Sequence, residues 1–256
     1  MRAALELQLA QFSRALTTRV ATAVIVMAPL LFALGFVALA RSGAVGGANA
    51  AQFAAYAEGS FASAAAQLAG QMMCVWTLIA AGFVISWSIG REWSDGTYGS
   101  LFALPVTRTT IAWAKVAVTA GWCAVAVTLA SALVATGIAV VDGEHLDAAV
   151  ATQLVRVWAA GLIMVALALP FGAVAALFRG YLGAVAAIIA ATAASQILGT
   201  LGLGSWTPLV APAVWAGAAG PEAAAAVGVA SLLGALAAAA AGVAALVWVF
   251  GRGRLD

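Results

Sequence analysis

The chain has 256 residues, of which 65% are hydrophobic and 8% charged, where a soluble globular domain carries roughly a quarter charged residues. That composition excludes a water-soluble fold. A bilayer solvates so much apolar side chain and leaves only the backbone polar groups, which helices satisfy internally. The formal net charge is +2 and the 11 basic residues stand singly, so no patch tracks phosphates and a nucleic-acid partner is excluded. Period-two alternation, the mark of a membrane barrel, is absent. The expected class is an all-α membrane protein.

At the N-terminus, Leu5, Leu9, Phe12, Leu16 and Val20 recur at spacings of four and three, while Arg2, Glu6, Gln11, Arg14 and Thr18 fall on the other side. Residues 1–19 are therefore expected to form an amphipathic helix at the inner interface. No cleavable leader is expected, because Glu6, Gln8 and Gln11 interrupt the segment and the first long apolar run lacks an early small-residue site.

Apolar runs long enough to cross about 30 Å of hydrocarbon follow at 20–40, 68–90, 110–141, 154–178, 183–201 and 224–250. Six spans place both termini on the same side. Cys74 and Cys123 fall within the second and third runs and read as small packing residues rather than a disulfide or a metal pair. With the N-terminus inside, cytoplasmic segments hold Arg2, Arg14, Arg19, Arg91, Arg108, Lys115, Arg179, Arg252 and Arg254, and the outer side holds Arg41 and Arg156. That asymmetry predicts cytoplasmic termini in a bacterial inner membrane.

The outer loop at 142–147 carries Asp142, Glu144, His145 and Asp147 without a Lys or Arg, and reads as a solvated polar loop rather than a metal site. The stretch 202–215 is too apolar for an ordinary loop and too broken by Pro208 and Pro212 to span. A short re-entrant or interfacial segment is expected, with Trp206 and Trp215 at headgroup level. In the last run Ala230, Gly234, Ala238 and Gly242 recur every four residues, a row on which another helix could approach closely.

The segment 91–108 lies in the longest cytoplasmic loop and concentrates Arg91, Glu92, Asp95 and Arg108, with Lys115 seven residues further on. Ser94 or Asp95 suits the cap of a short helix and Pro105 its end. Tyr98, Leu101 and Phe102 offer an apolar face to a partner surface. The order and spacing of Glu92, Gly96, Thr97, Leu101, Pro105, Val106, Thr107, Arg108 and Lys115 resembles the loop of the type-2 ABC exporter permeases, the ABC-2 family. The likeness extends over the whole length, from the amphipathic N-terminal helix through six spans to the broken apolar segment before the sixth.

That resemblance implies a single transmembrane domain over 1–256: an interfacial helix at 1–19, spans 1 and 2 in 20–90, a cytoplasmic coupling loop at 91–109, spans 3 to 6 in 110–250, and a tail at 251–256. It implies that Glu92, Gly96, Thr97, Tyr98, Leu101, Phe102, Pro105, Arg108 and Lys115 couple the chain to a separate ATP-binding subunit. Leu101 and Phe102 would be the apolar anchors, and Gly96 would permit a close approach of backbones. Glu92 and Arg108 would either contact that subunit or pin the loop to neighbouring helices. Two permease chains would pair with two ATPases. ATP and Mg would sit on the partner and no cofactor on this chain, because the phosphate-binding pattern Gly-x-x-x-x-Gly-Lys-Ser/Thr is missing and the single lysine, Lys115, lies between Ala114 and Val116.

Three other readings are weaker. An intramembrane enzyme needs facing acids or a histidine cluster at depth, and no acid falls mid-span. An ion-coupled secondary transporter needs a titratable group near the midplane, whereas the strongly polar side chains of the spans are Gln67, Gln71, Gln153, Arg156 and Gln196, mostly toward the ends. A membrane anchor for a cytoplasmic protein needs fewer than six spans. The expected cargo is a hydrophobic or amphipathic molecule, a drug, peptide or lipid.

Overall fold

A computed structural model describes residues 2–43, 56, 58–97 and 106–252. Among these residues there is no strand. The helices in chain order are α1 (Arg2–Arg14), α2 (Leu16–Arg41), α3 (Phe61–Ser94), α4 (Arg108–Asp142), α5 (Ala148–Ala168), α6 (Phe171–Leu177), α7 (Leu182–Thr200), α8 (Ala211–Trp215), α9 (Pro221–Ala226) and α10 (Val229–Arg252), with a 3₁₀ turn at Gly143–His145. Among the described residues six helical stretches are long and apolar enough to cross a membrane: Leu16–Arg41, Phe61–Ser94, Arg108–His145, Ala148–Leu177, Leu182–Thr200 and Val229–Arg252.

The centre of the bundle is α3, which packs against α2, α4, α5, α6 and α7. Its buried face is largely small, with Ala62, Ala65, Ala66, Ala69 and Ala81 fully covered, so neighbouring backbones come close. Larger side chains such as Ile25, Met73, Val84, Val127 and Ile138 fill the layer between helices. Burial falls away from this centre: 67% of the most apolar window of α3 is covered, against 11% of that of α7.

The helices alternate in direction. At one end of the bundle, Asp142 Oδ2 accepts the Ala62 N–H at the start of α3 (2.9 Å), Asp142 Oδ1 meets His145 Nδ1 at 2.6 Å, and Arg41 Nη2 donates to Gly59 O at 2.8 Å. At the opposite end α3 finishes beside the start of α4, the turn between α6 and α7, and the last turn of α10. These are called the Asp142 end and the Arg91 end.

Several boundaries differ from the sequence expectation. The second span begins at Phe61, where Ser60 caps the helix by accepting from Ser63 N. The fourth is split at Pro170, which has no N–H to continue the ladder, so α5 stops at Ala168 and α6 resumes at Phe171. The sixth begins at Val229, because the chain at Val227 is extended (ψ 104°) and separates α9 from α10.

Most of the row of small residues on α10 faces away from this chain's own bundle. Ala230, Gly234 and Ala238 are exposed, and a methyl at Gly234 would meet nothing within 4 Å. The face turned inward carries Ala235, Ala239 and Leu246. Gly242 alone of the four meets another helix, lying so close to Pro170 that a Cβ there would collide with the ring. Helical periodicity leaves adjacent rows nearly equivalent in an alanine-rich segment, and the break at Pro170 selects between them.

Between α7 and α10 the chain does not span. α8 packs on α5, α3 and α10, with Ala211 and Val214 buried and Trp206 82% exposed. Trp215 lies under the Arg156 guanidinium at 5.9 Å, and Gln153 Nε2 donates to Ala216 O.

Candidate functional site

The Arg91 end gathers a buried ion pair and polar contacts among α1, α3 and α4. Ser88 and Glu92 stand four residues apart on α3 and so share one face, which is turned toward α4. There Lys115 Nζ donates to Glu92 Oε1 at 2.7 Å and to Ser88 O at 2.5 Å. Both charges are inside the bundle, Lys115 at 1% exposure and Glu92 at 6%. Burial of either charge alone is strongly unfavourable, and the pair with its added hydrogen bond offsets that cost. Glu92 Oε2 is buried with no hydrogen-bond partner among the described residues.

Lys115 was expected among the cytoplasmic charges and is instead enclosed. It lies seven residues into α4, about 10 Å along the helix axis, and its removal leaves Arg2, Arg14, Arg19, Arg91, Arg108, Arg179, Arg252 and Arg254 on that side against Arg41 and Arg156. The asymmetry survives. For Glu92, the geometry within this chain is a link to the neighbouring helix.

α1 joins the bundle through polar groups as well as through part of its apolar stripe. Gln8 Nε2 donates to Ser88 Oγ at 3.0 Å, and Arg91 Nη2 donates to Gln11 Oε1 at 2.8 Å. The Arg91 guanidinium also lies 4.6 Å over the Trp87 ring. Phe12 turns inward against Trp122 with ring centroids 5.8 Å apart, whereas Leu9, Leu16 and Val20 are exposed at 55%, 74% and 54%. Thr18, expected on the polar side, is buried. α10 closes the cluster, with Trp93 and Phe250 edge to face at 5.9 Å.

The connector leaves this cluster and returns to it through defined ends. Asp95 is the C-cap of α3, its N–H bonded to Arg91 O at 2.7 Å, and Gly96 follows with φ 68°, the left-handed step that commonly ends a helix. Ser94 and Asp95 thus terminate α3 rather than open a new helix. A side chain at Gly96 would meet open space, so within this chain its glycine serves the turn. Thr97 is exposed. On the return, Thr107 caps α4 by accepting from Thr110 N at 3.3 Å, and Arg108 is the first helical residue, half-buried. Tyr98, Leu101, Phe102 and Pro105 lie outside the described residues.

Gln8, Gln11 and Ser88 were not singled out from the sequence as members of this site. A signal existed for Ser88, since an acid at i+4 on a span and a lone lysine two turns into the next one both need partners. Among the described residues no group of three His, Cys, Asp or Glu side chains is placed to hold a metal ion, and Cys74 and Cys123 are free and buried.

Six membrane-length helices among the described residues, with α3 at their centre, define a multi-pass membrane protein. The chain belongs to the ABC-2 family: the family model described as ABC-2 family transporter protein matches residues 18–195, from within α2 to within α7. The match contains the whole of the Arg91 end except α1 and α10. A member of this family is a membrane permease, a transport component that is generally not itself catalytic, and the family implies association with an ABC ATP-binding subunit. No curated protein matches the chain.

Proposed function

We propose that the connector between α3 and α4 is the coupling element of an ATP-driven exporter, docking on a separate ATP-binding subunit that carries ATP and Mg. The observation that supports this is the buried Glu92–Lys115 pair, which binds the two helices flanking the connector into one unit. A displacement of the connector by ATPase closure is then passed to both spans together, and rigid elements of this kind convert a local movement into alternating access. Leu101 and Phe102 are the apolar anchors in the partner groove, while Tyr98, Pro105 and Arg108 shape and flank them. Gly96 and Thr97 form the turn that presents the connector.

In the same reading α1 lies at the inner interface of a bacterial inner membrane, with its Leu9, and Leu16 and Val20 at the start of α2, toward lipid and Gln8 and Gln11 toward the bundle. The Arg91 end is cytoplasmic, the segment before α10 lies at the outer interface, and two permease chains related by a two-fold axis work with two ATPases. The cargo is hydrophobic or amphipathic. The test is capture of the ATPase by variants at matched membrane levels, with export measured in parallel. Leu101→Asp buries an unpaired charge in the groove and abolishes binding. Arg108→Ala, losing a charge-assisted contact of about 1.5 to 3 kcal/mol, lowers export more than insertion, and Ser100→Ala is nearly silent. Retention of both binding and export by Leu101→Asp refutes the assignment.

A further inference from the structure

Toward the Asp142 end, a cavity of about 280 Å³ lies between α3, α5, α7 and the segment containing α8. That volume is near the lower limit of small-molecule sites, enough for a short amphipath rather than a drug-sized one. Leu78 and Met164 belong to its apolar wall, and its polar side chains are all uncharged: Gln71, Cys74, Thr192, Ser195, Gln196 and Thr200.

The hydroxyls are already engaged. Thr192 Oγ1 donates to Ile188 O at 2.8 Å, Ser195 Oγ to Ala191 O at 2.7 Å, and Thr200 Oγ1 to Ile197 O at 2.8 Å. The two amides differ. Among the described residues Gln71 and Gln196 make no hydrogen bond, nor does Gln67, which lies outside the lining, whereas Gln8, Gln11 and Gln153 each have one. In hydrocarbon an amide without a partner is strongly disfavoured, and here two such amides line one cavity. Access is from the side of α7, the least covered span, where Gln196 and Thr200 are exposed.

We propose that this cavity binds an uncharged amphipath whose hydroxyl or amide head pairs with Gln71 and Gln196 while its tail lies along Leu78 and Met164. A charged head is excluded by the same wall, because no ionic side chain is present to pair with it. The inference rests on the exporter reading only for the claim that the guest is cargo. Binding itself involves no ATPase.

The test uses the permease alone in phosphatidylcholine nanodiscs, photolabelled with a diazirine-bearing octanol and mapped by peptide mass spectrometry. Label is expected on the segments holding Gln71 and Gln196, displaced by plain octanol. It falls about tenfold in the Gln71→Leu, Gln196→Leu double variant, the worth of two neutral hydrogen bonds, at an unchanged thermal midpoint, while Gln71→Asn keeps part of it. A diazirine-bearing octylammonium leaves the site unlabelled. The proposal is overturned if label spreads evenly over lipid-facing positions such as Leu31 and Leu129, if the double variant labels like the parent, or if the cation labels equally. It is overturned too if Gln196→Cys cross-links two chains in high yield and shuts out the probe, which places a second copy in the cavity. Failed labelling with intact ATPase capture refutes the site and not the coupling, and the converse result refutes the coupling and not the site.

Discussion

Glu92 and Lys115 are 23 residues apart in the chain and 2.7 Å apart in space, with neither charge open to solvent. The pair ties the last turn of α3 to the third turn of α4, and the caps at Asp95 and Thr107 lie just beyond it. The pair therefore joins the two helices that flank the connector.

Removal of one partner is expected to be costly and unequal. Lys115→Met leaves a buried carboxylate with no cation and costs about 3 to 5 kcal/mol, the usual penalty for breaking a buried pair. Glu92→Gln costs less, since Lys115 keeps the Ser88 carbonyl and gains an amide oxygen. The double variant recovers most of the stability but not export, because a neutral contact holds the helices less rigidly. Thermal unfolding in detergent, run beside vesicle export, measures both quantities. Equal midpoints for Lys115→Met and the parent contradict the burial argument.

The attachment of α1 is predicted to depend on amides. Gln8→Leu removes the hydrogen bond to Ser88 Oγ, and Gln11→Leu removes that from Arg91, each worth about 0.5 to 1.5 kcal/mol if neutral and more where Arg91 is the donor. Amide exchange by mass spectrometry should show α1 opening faster in the double variant while α5 is unaffected. Unchanged protection of α1 would mean that its apolar contacts, chiefly Phe12 on Trp122, hold it without help.

Two glycines of α10 should separate cleanly. Gly242→Ala places a methyl against the Pro170 ring and is expected to destabilise by about 1 to 3 kcal/mol, as overpacking does. Gly234→Ala meets open space and is expected to be neutral or to gain up to about 1 kcal/mol from helix propensity. A thermal-shift measurement of the two variants decides, and a reversed order would place the wrong face of α10 against the break between α5 and α6.

Orientation is open to thiol labelling with low background, because Cys74 and Cys123 are both buried. Glu144→Cys at the exposed Asp142 end should react with a membrane-impermeant maleimide added outside, and Gly253→Cys only after the inner face is opened. The opposite pattern inverts the topology.

The number of spans, their approximate limits and the separateness of the connector were legible in the sequence, because each follows from quantities local to a short window: apolar length, charge, and the breaks made by Pro208, Pro212 and the loop at 142–147. The motif from Glu92 to Lys115 was legible for the same reason, as an order of residue types. What those residues touch was not. Lys115 looks like one more basic residue beside a span until α3 is placed against α4, and only then is it an enclosed charge whose partner is Glu92. The row of α10 that packs was equally hidden, since Ala235, Ala239 and Leu246 differ from the neighbouring row only by rotation about the helix axis, and the close approach of Gly242 to Pro170, at the break between α5 and α6, goes with that rotation. Gln8 and Gln11 read as one polar side of a helix, yet that side meets the bundle because Ser88 and Arg91 supply partners. Length and composition decide that a helix crosses a membrane, whereas the rotation of that helix and the pairing of its few polar groups depend on side chains brought together from distant parts of the chain.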